Sequence, residues 1–256
     1  MLATLPLFDS HFHIIDPRFA LIPNQGYLPD AFTVADYRHQ THQYQICGGA
    51  IVSGSFQGFD QDYLIDALTQ LGPNFVGVTQ LPAHTPDAKI LSLHQAGVRA
   101  LRFNLKRGGS EDISQMTHMA HRVYDLVGWH IELYIDSNDL LSLHHQLVTL
   151  PAVSIDHLGL SKTGLPTLLK LVEQGIKVKA TGFGRVDFNI NNALKDLYSA
   201  NPSALMFGTD MPSTRAPRPY KNDDFLIVID TLGEHAAQRV LSKNAQEFYQ
   251  KSTQLE

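Results

Sequence analysis

Two histidines two residues apart, His11 and His13, stand in the run Phe8-Asp9-Ser10-His11-Phe12-His13 near the start of the chain. Alternate residues of a strand point to the same side, so both imidazoles would project together and Phe12 would face away. Imidazoles gathered in this way hold a metal, move protons or polarise a carbonyl group. Asp210 lies in a second polar stretch, Phe207-Gly208-Thr209-Asp210-Met211-Pro212. If the first and last strands are neighbours in a closed barrel, the two stretches meet. Between them come Ser53 in Val52-Ser53-Gly54-Ser55, Arg102 in Leu101-Arg102-Phe103-Asn104, Tyr134, His157 in Asp156-His157-Leu158-Gly159, and Arg185 in Gly182-Phe183-Gly184-Arg185. Each has an ordinary structural role open to it. His157 could be satisfied by backbone, Asp210 could cap a turn and Tyr134 could be packing. Arg102 is different, because a guanidinium between Leu101 and Phe103 would be buried and needs an anionic partner.

The elements that must position these groups are legible as eight short apolar runs. They are Leu7 to His13, Gly49 to Ser53, Phe75 to Leu81, Ala100 to Asn104, Ile131 to Ile135, Val153 to His157, Val178 to Gly182 and Leu205 to Asp210. Amphipathic stretches alternate with them, the pattern of βα units around a parallel sheet. Helices are expected from Asp60 to Leu71, stopped by Gly72-Pro73, and from Pro86 to Ala96, stopped by Gly97. Others are expected to start at Ser110 and Ser137. The residues 1–256 read as one α/β domain, a distorted (β/α)8 TIM barrel closed by a C-terminal helical segment from Glu234 to Tyr249, whose apolar side is packing. Loops after barrel strands build the active face, so Ile14 to Phe32 and Ser213 to Lys221 are expected as its walls or lids. The sequence assigns no role to Arg215 or Arg218 in the second of these loops.

Composition narrows the partners. The chain is 43% hydrophobic and 18% charged with a net charge of −5, ordinary for a soluble globular protein. Its basic residues are scattered, which gives no footprint for nucleic acid. The single cysteine, Cys47, excludes an internal disulfide and reads as a buried structural thiol. No run approaches the roughly twenty apolar residues of a membrane span, and Met1 to Leu7 is unlike a signal peptide, so no membrane partner and a cytoplasmic location are expected. The expected partner is a small molecule, with homo-oligomerisation left open.

In order along the chain, the motifs built on His11-Phe12-His13, Val52-Ser53-Gly54-Ser55-Phe56-Gln57-Gly58-Phe59-Asp60, Gly97 to Asn104, Asp156-His157-Leu158-Gly159 and Gly208 to Pro212 resemble those of the amidohydrolase superfamily. More narrowly, they resemble its branch of lactonases acting on acidic lactones such as pyrone dicarboxylates and sugar-acid lactones. The resemblance runs from Asp9 to Asn244-Ala245. It implies a distorted barrel with His11, His13, His157 and Asp210 around one site, and Ser53, Arg102, Tyr134 and Arg185 where that branch holds substrate carboxylates or hydroxyls. The chain departs from metal-dependent members in two ways. Arg102 stands on the fourth strand, where they commonly have lysine or glutamate, and Tyr134 on the fifth, where they have histidine and where His130 lies at the wrong end. Met211 and Ser213 flank Pro212 where the branch often has Trp and His.

The expected reaction is opening of a carboxylated lactone of the pyrone-dicarboxylate, muconolactone or sugar-acid type. Asp210 is the expected general base, His11, His13 and His157 polarise the carbonyl, Arg102 and Arg185 clamp a carboxylate, and no cofactor is required. One alternative is a mononuclear hydrolase or decarboxylase with zinc or manganese on His11, His13 and Asp210. A second is a barrel that binds a sugar acid without turnover.

Overall fold

The structure is a computed structural model that describes residues 5–250. Eight parallel strands run in sequence order around a nearly closed barrel: β1 (Pro6–Phe12), β2 (Gln45–Val52), β3 (Phe75–Thr79), β4 (Val98–Asn104), β5 (His130–Tyr134), β6 (Val153–Ile155), β7 (Lys177–Ala180) and β8 (Leu205–Phe207). All eight coincide with the apolar runs, since a parallel barrel strand is covered on both faces and tolerates few polar residues. Their ends are trimmed. Ser53, His13, His157 and Asp210 lie just beyond strands, not within them.

The helices are α1 (Val34–Thr41), α2 (Asp62–Leu71), α3 (Asp87–Gln95), α4 (Met116–Val127), α5 (Leu140–Thr149), α6 (Leu165–Glu173), α7 (Ile190–Ala200) and α8 (Asn222–Leu232), then α9 (Glu234–Gln238), a π turn over Arg239–Lys243 and α10 (Asn244–Gln250). Two starts differ from the expected ones. Asp112, not Ser110, accepts from the Ser114 amide and opens a 3-10 turn ahead of α4. Asp136, not Ser137, does the same for Asn138 ahead of α5. Ser110 Oγ instead accepts from the Asn104 amide, and Ser137 Oγ donates to the Ser161 carbonyl. Among the described residues, no helix is long and apolar enough to cross a membrane.

α10 closes the end of the barrel away from the site. Phe248 and Tyr249 pack on Phe8, Ala50, Val52, Val78, Ala100 and Met206. Cys47, beside this cluster, is half-buried and not fully buried as its sequence neighbours suggested, and Gln246 Nε2 lies 3.4 Å from its sulfur.

The seam between β1 and β8 is made past the end of β8. Asp210 N donates to His11 O at 2.7 Å and His13 N to Met211 O at 2.8 Å. Asp9, fully buried, accepts from Thr209 N at 2.8 Å, Thr209 Oγ1 at 2.7 Å and Tyr37 OH at 3.2 Å. Gly208 permits this approach, because a Cβ there would lie 2.6 Å from His11 N and 2.8 Å from Thr181 Cγ2. The seam therefore fixes β1 histidines and the β8 aspartate relative to each other.

Candidate active site

The strand ends bring His11, His13, His157 and Asp210 to one point. His11 Nε2 and His13 Nε2 lie 3.9 and 3.8 Å from Asp210 Oδ1. The His11 and His157 rings are 4.7 Å apart. The backbone at two of these residues is in the left-handed region, with φ of 52° at His157 and 58° at Asp210. Such conformations are unfavourable for residues with a side chain and persist where the surrounding structure dictates them, characteristically at functional sites.

Hydrogen bonds at the far side of each ring set what it presents to the centre. His13 Nδ1 lies 2.7 Å from Val52 O. A carbonyl oxygen only accepts, so this nitrogen carries a proton and a neutral His13 offers Nε2 as a lone pair. His157 Nδ1 lies 2.7 Å from Thr181 Oγ1. Gly182 keeps room for it, since a Cβ there would sit 2.8 Å from that nitrogen. His11 Nδ1 lies 3.4 Å from Asp156 Oδ1. Burial lowers the His11 pKa to about 4 and drives that of His157 well below its ordinary value, so both rings are neutral at pH 7.

Arg185 Nε donates to Asp210 Oδ2 at 2.7 Å and its Nη2 to Thr214 O at 2.9 Å. Burial would raise the Asp210 carboxyl, but Arg185 and the surrounding histidines outweigh it and hold the pKa far below the carboxylate range. Asp210 Oδ1 has no hydrogen-bond partner among the described residues. Arg102, 3% exposed, finds the anion its burial demands in Asp156, with Nη2 to Oδ2 at 2.7 Å, and Nη1 reaches Ser53 O at 2.6 Å. Its Nε is buried and unpartnered. Both expected clamps are thus already engaged through part of their forks.

Above this centre opens a cleft of about 360 Å³, counting its mouth, lined by His13, His157, Phe56, Asn104, Tyr134, Arg102 and Arg185. His11 and Asp210 are fully buried behind these lining groups, with Asp210 3.8 Å from His13 Nε2 and 2.7 Å from Arg185 Nε and the His11 ring 4.7 Å from that of His157. The side chain of Ser53 is not among the lining groups. Its hydroxyl is 2.6 Å from Tyr63 OH, and Ser55 lines the cleft instead. Two of the lining arginines had no role assigned from the sequence, Arg107, which was not singled out, and Arg215, which lies in the loop expected as a wall or lid. Arg107 follows β4 in a Lys106-Arg107-Gly108-Gly109 turn that reads as ordinary surface. Arg215, from the loop after β8, stacks over Tyr27 at 4.3 Å and donates to Asn24. It therefore ties the loop after β1 to the loop after β8. Arg218 pairs with Asp224, away from the cleft.

The donor set also suits a divalent metal. One ligand atom each from His11, His157 and Asp210 lie within 4.8 Å of one another. His11 Nε2 and Asp210 Oδ1 are buried without partners, as unfilled ligand positions would be. Two imidazoles and a carboxylate, with His13 Nε2 beside them, match zinc or manganese chemistry.

The family model described as Amidohydrolase matches residues 8–251. A 2-pyrone-4,6-dicarboxylate hydrolase of Comamonas testosteroni is 30% identical over 157 residues, 59% of this chain and about half of that relative. A structure from Pseudomonas putida that carries the provisional description 2-pyrone-4,6-dicarboxylic acid hydrolase superposes with a TM-score of 0.79 at 25% identity, covering 99% of this chain and 100% of the other. A probable 2-pyrone-4,6-dicarboxylic acid hydrolase of Acinetobacter baumannii with citric acid bound has a TM-score of 0.82 at 21% identity, covering 95% and 98%. With the family match extending over nearly its whole length, the chain belongs to the amidohydrolase family.

Proposed function

We propose that the protein hydrolyses a small carboxylated lactone. The observation that carries this reading is a cleft lined by four arginines, Arg102, Arg107, Arg185 and Arg215, together with His13 and His157, with the Asp210 carboxylate buried against His13 and Arg185. A lactone supplies both features such a cleft selects, a carboxylate for the guanidiniums and an electrophilic carbonyl for the histidines and Asp210. The names of the relatives from Comamonas testosteroni and Pseudomonas putida agree with it.

Asp210 is the general base. Its Oδ2 is fixed by Arg185, which leaves Oδ1 to take a proton as water adds to the carbonyl. The ring C–O bond then breaks, and the proton passes from Asp210 to the departing oxygen to leave a ring-opened acid. His157 polarises the carbonyl, and a preorganised donor of this kind contributes about 2.7–4 kcal/mol. His13, whose Nδ1–H is engaged by Val52 O, leaves the expected set of carbonyl donors and presents Nε2 as an acceptor beside it. Arg102 Nε, Arg107 and Tyr134 hold the substrate carboxylate, and Arg185 holds it through what its fork has left. Ser53 acts through its carbonyl on Arg102.

A second reading, a metal-dependent hydrolase or decarboxylase, is favoured by the lone pair that neutral His13 directs inward. His11, His157 and Asp210, with His13, would hold the ion. A divalent ion bound there would supply a Lewis acid.

The test is turnover of acidic pyrone, muconolactone and aldonolactone substrates by the purified protein before and after chelation, beside its metal content. Hydrolysis that survives chelation supports the metal-free reading, and hydrolysis lost with one bound metal supports the second. Asp210→Asn keeps the shape and removes the base. We expect a loss of at least about 100-fold in kcat, and near-normal activity would remove Asp210 from its role.

A further inference from the structure

Lys179 is a full positive charge in the interior of a barrel, 0% exposed on β7. Its ammonium contacts Glu132 of β5 and lies 3.9 Å from Asp156 Oδ1. Glu132 is held in turn by His130 at 3.1 Å and by the hydroxyl of Tyr249 at 2.5 Å. Asp156, 0% exposed at the end of β6, therefore stands between two cations, Lys179 on Oδ1 and Arg102 on Oδ2. The same Oδ1 is 3.4 Å from His11 Nδ1. Neither of these two atoms has a hydrogen-bond partner elsewhere among the described residues, so each is the other's nearest polar complement.

We propose that Asp156 is a positioning residue that holds His11 in the Nδ1–H tautomer, so that His11 Nε2 faces Asp210 as a lone pair. A carboxylate paired with two cations accepts and does not donate, so a neutral imidazole against it must carry its proton on the nearer nitrogen. The lone pair then lies on the side where water and substrate meet. This rests on the hydrolytic reading of the cleft and refines it. His11 leaves the group of carbonyl donors and becomes the acceptor that orients the attacking water with Asp210, or a ligand if a metal is bound. Lys179 and Arg102 act one step further back, by keeping Asp156 a carboxylate and fixing its plane.

The tautomer is measured without substrate, from the side-chain nitrogen shifts of 15N-histidine-labelled protein at neutral pH, with His11 assigned by its loss in His11→Gln. We expect the Nδ1–H form in the unaltered protein. In Asp156→Asn, Arg102 draws the amide oxygen, which turns the NH2 towards His11 Nδ1. The expected result is the Nε2–H form, with kcat about 10–100-fold lower and KM for a carboxylated lactone nearly unchanged. An Nε2–H tautomer in the unaltered protein overturns the proposal, and that result does not depend on the variant folding. So does an Asp156→Asn protein with unchanged tautomer and unchanged kcat. If the tautomer is as expected and no lactone is turned over, the hydrolytic reading fails and the positioning role of Asp156 stands.

Discussion

Arg102 and Arg107 sit five residues apart on β4 and the loop after it, both at the wall of one cleft, in opposite situations. Arg102 is buried and paired with Asp156; Arg107 takes part in no salt bridge among the described residues. Arg102→Met should therefore do two things, weaken binding of acidic lactones and destabilise the fold by about 3–5 kcal/mol, because it strands a buried carboxylate. Arg107→Met should raise KM for the same substrates about tenfold or more, the loss of one charge-assisted contact, with the urea midpoint unmoved. Parallel kinetics and urea unfolding on the two variants separate the roles; equal effects on both variants would refute the division. The sequence made Arg102 legible and hid Arg107, and the reason is physical. A charge between Leu101 and Phe103 is anomalous in a buried strand, whereas a charge beside Gly108 and Gly109 resembles any turn. Lys179 was hidden differently. It lies in the apolar run of β7, and its partner Glu132 is 47 positions away, a distance that only the closed barrel removes.

At the scale of elements, the strands were legible because burial on both faces forces a composition, and their order followed from the βα rhythm. Helix starts were less so. Serine and aspartate are both good capping residues, and Asp112 and Asp136 won over nearby Ser110 and Ser137, whose hydroxyls serve other backbone groups. That the β1 and β8 stretches meet followed from barrel closure, but the side chain that secures the β1–β8 seam could not be read. The seam depends on Asp9, which sits at the start of the histidine motif and reads as one more polar residue of it. In the structure Asp9 accepts from two groups of Thr209 and from Tyr37 of α1, and so joins three elements. Asp9→Ala removes those acceptors while the donors stay buried. At about 1–3 kcal/mol for each stranded donor, we expect a destabilisation of about 3 kcal/mol or more. The loss should be local before it is global. Hydrogen exchange at 6–13 and 205–213 should rise ahead of that in β4 and β5, and uniform exchange across all eight strands would refute the seam as the element that Asp9 secures.

The molecule as a whole carries a cluster of buried titratable groups, and these link its stability to pH. Burial lowers the pKa of His11 to about 4, and it lowers those of His130 and His157 as well. Groups of this kind are neutral in the folded chain but bind protons once unfolded, below their ordinary value of 6.5. Their contribution to stability is full above pH 6.5 and is lost as the pH falls through their folded-state values, about 4 for His11. Asp9 works in the opposite direction. Burial raises its pKa from 3.8 to about 6, so the folded state holds its proton more tightly, and unfolding releases that proton between these values. At pH 5 His11 gains most of a proton on unfolding and Asp9 gives up most of one, so these two nearly cancel and the lowered His130 and His157 tip the balance towards uptake. The histidines win, and stability should fall as the pH drops below 6. Urea midpoints at pH 8, 6.5 and 5 measure this directly. The expected result is little change over the first interval and a marked drop over the second. A midpoint that holds from pH 6.5 to 5 would mean that the folded protein already carries protons on these imidazoles, and the inward lone pairs at the cleft would no longer be available to water or to a metal.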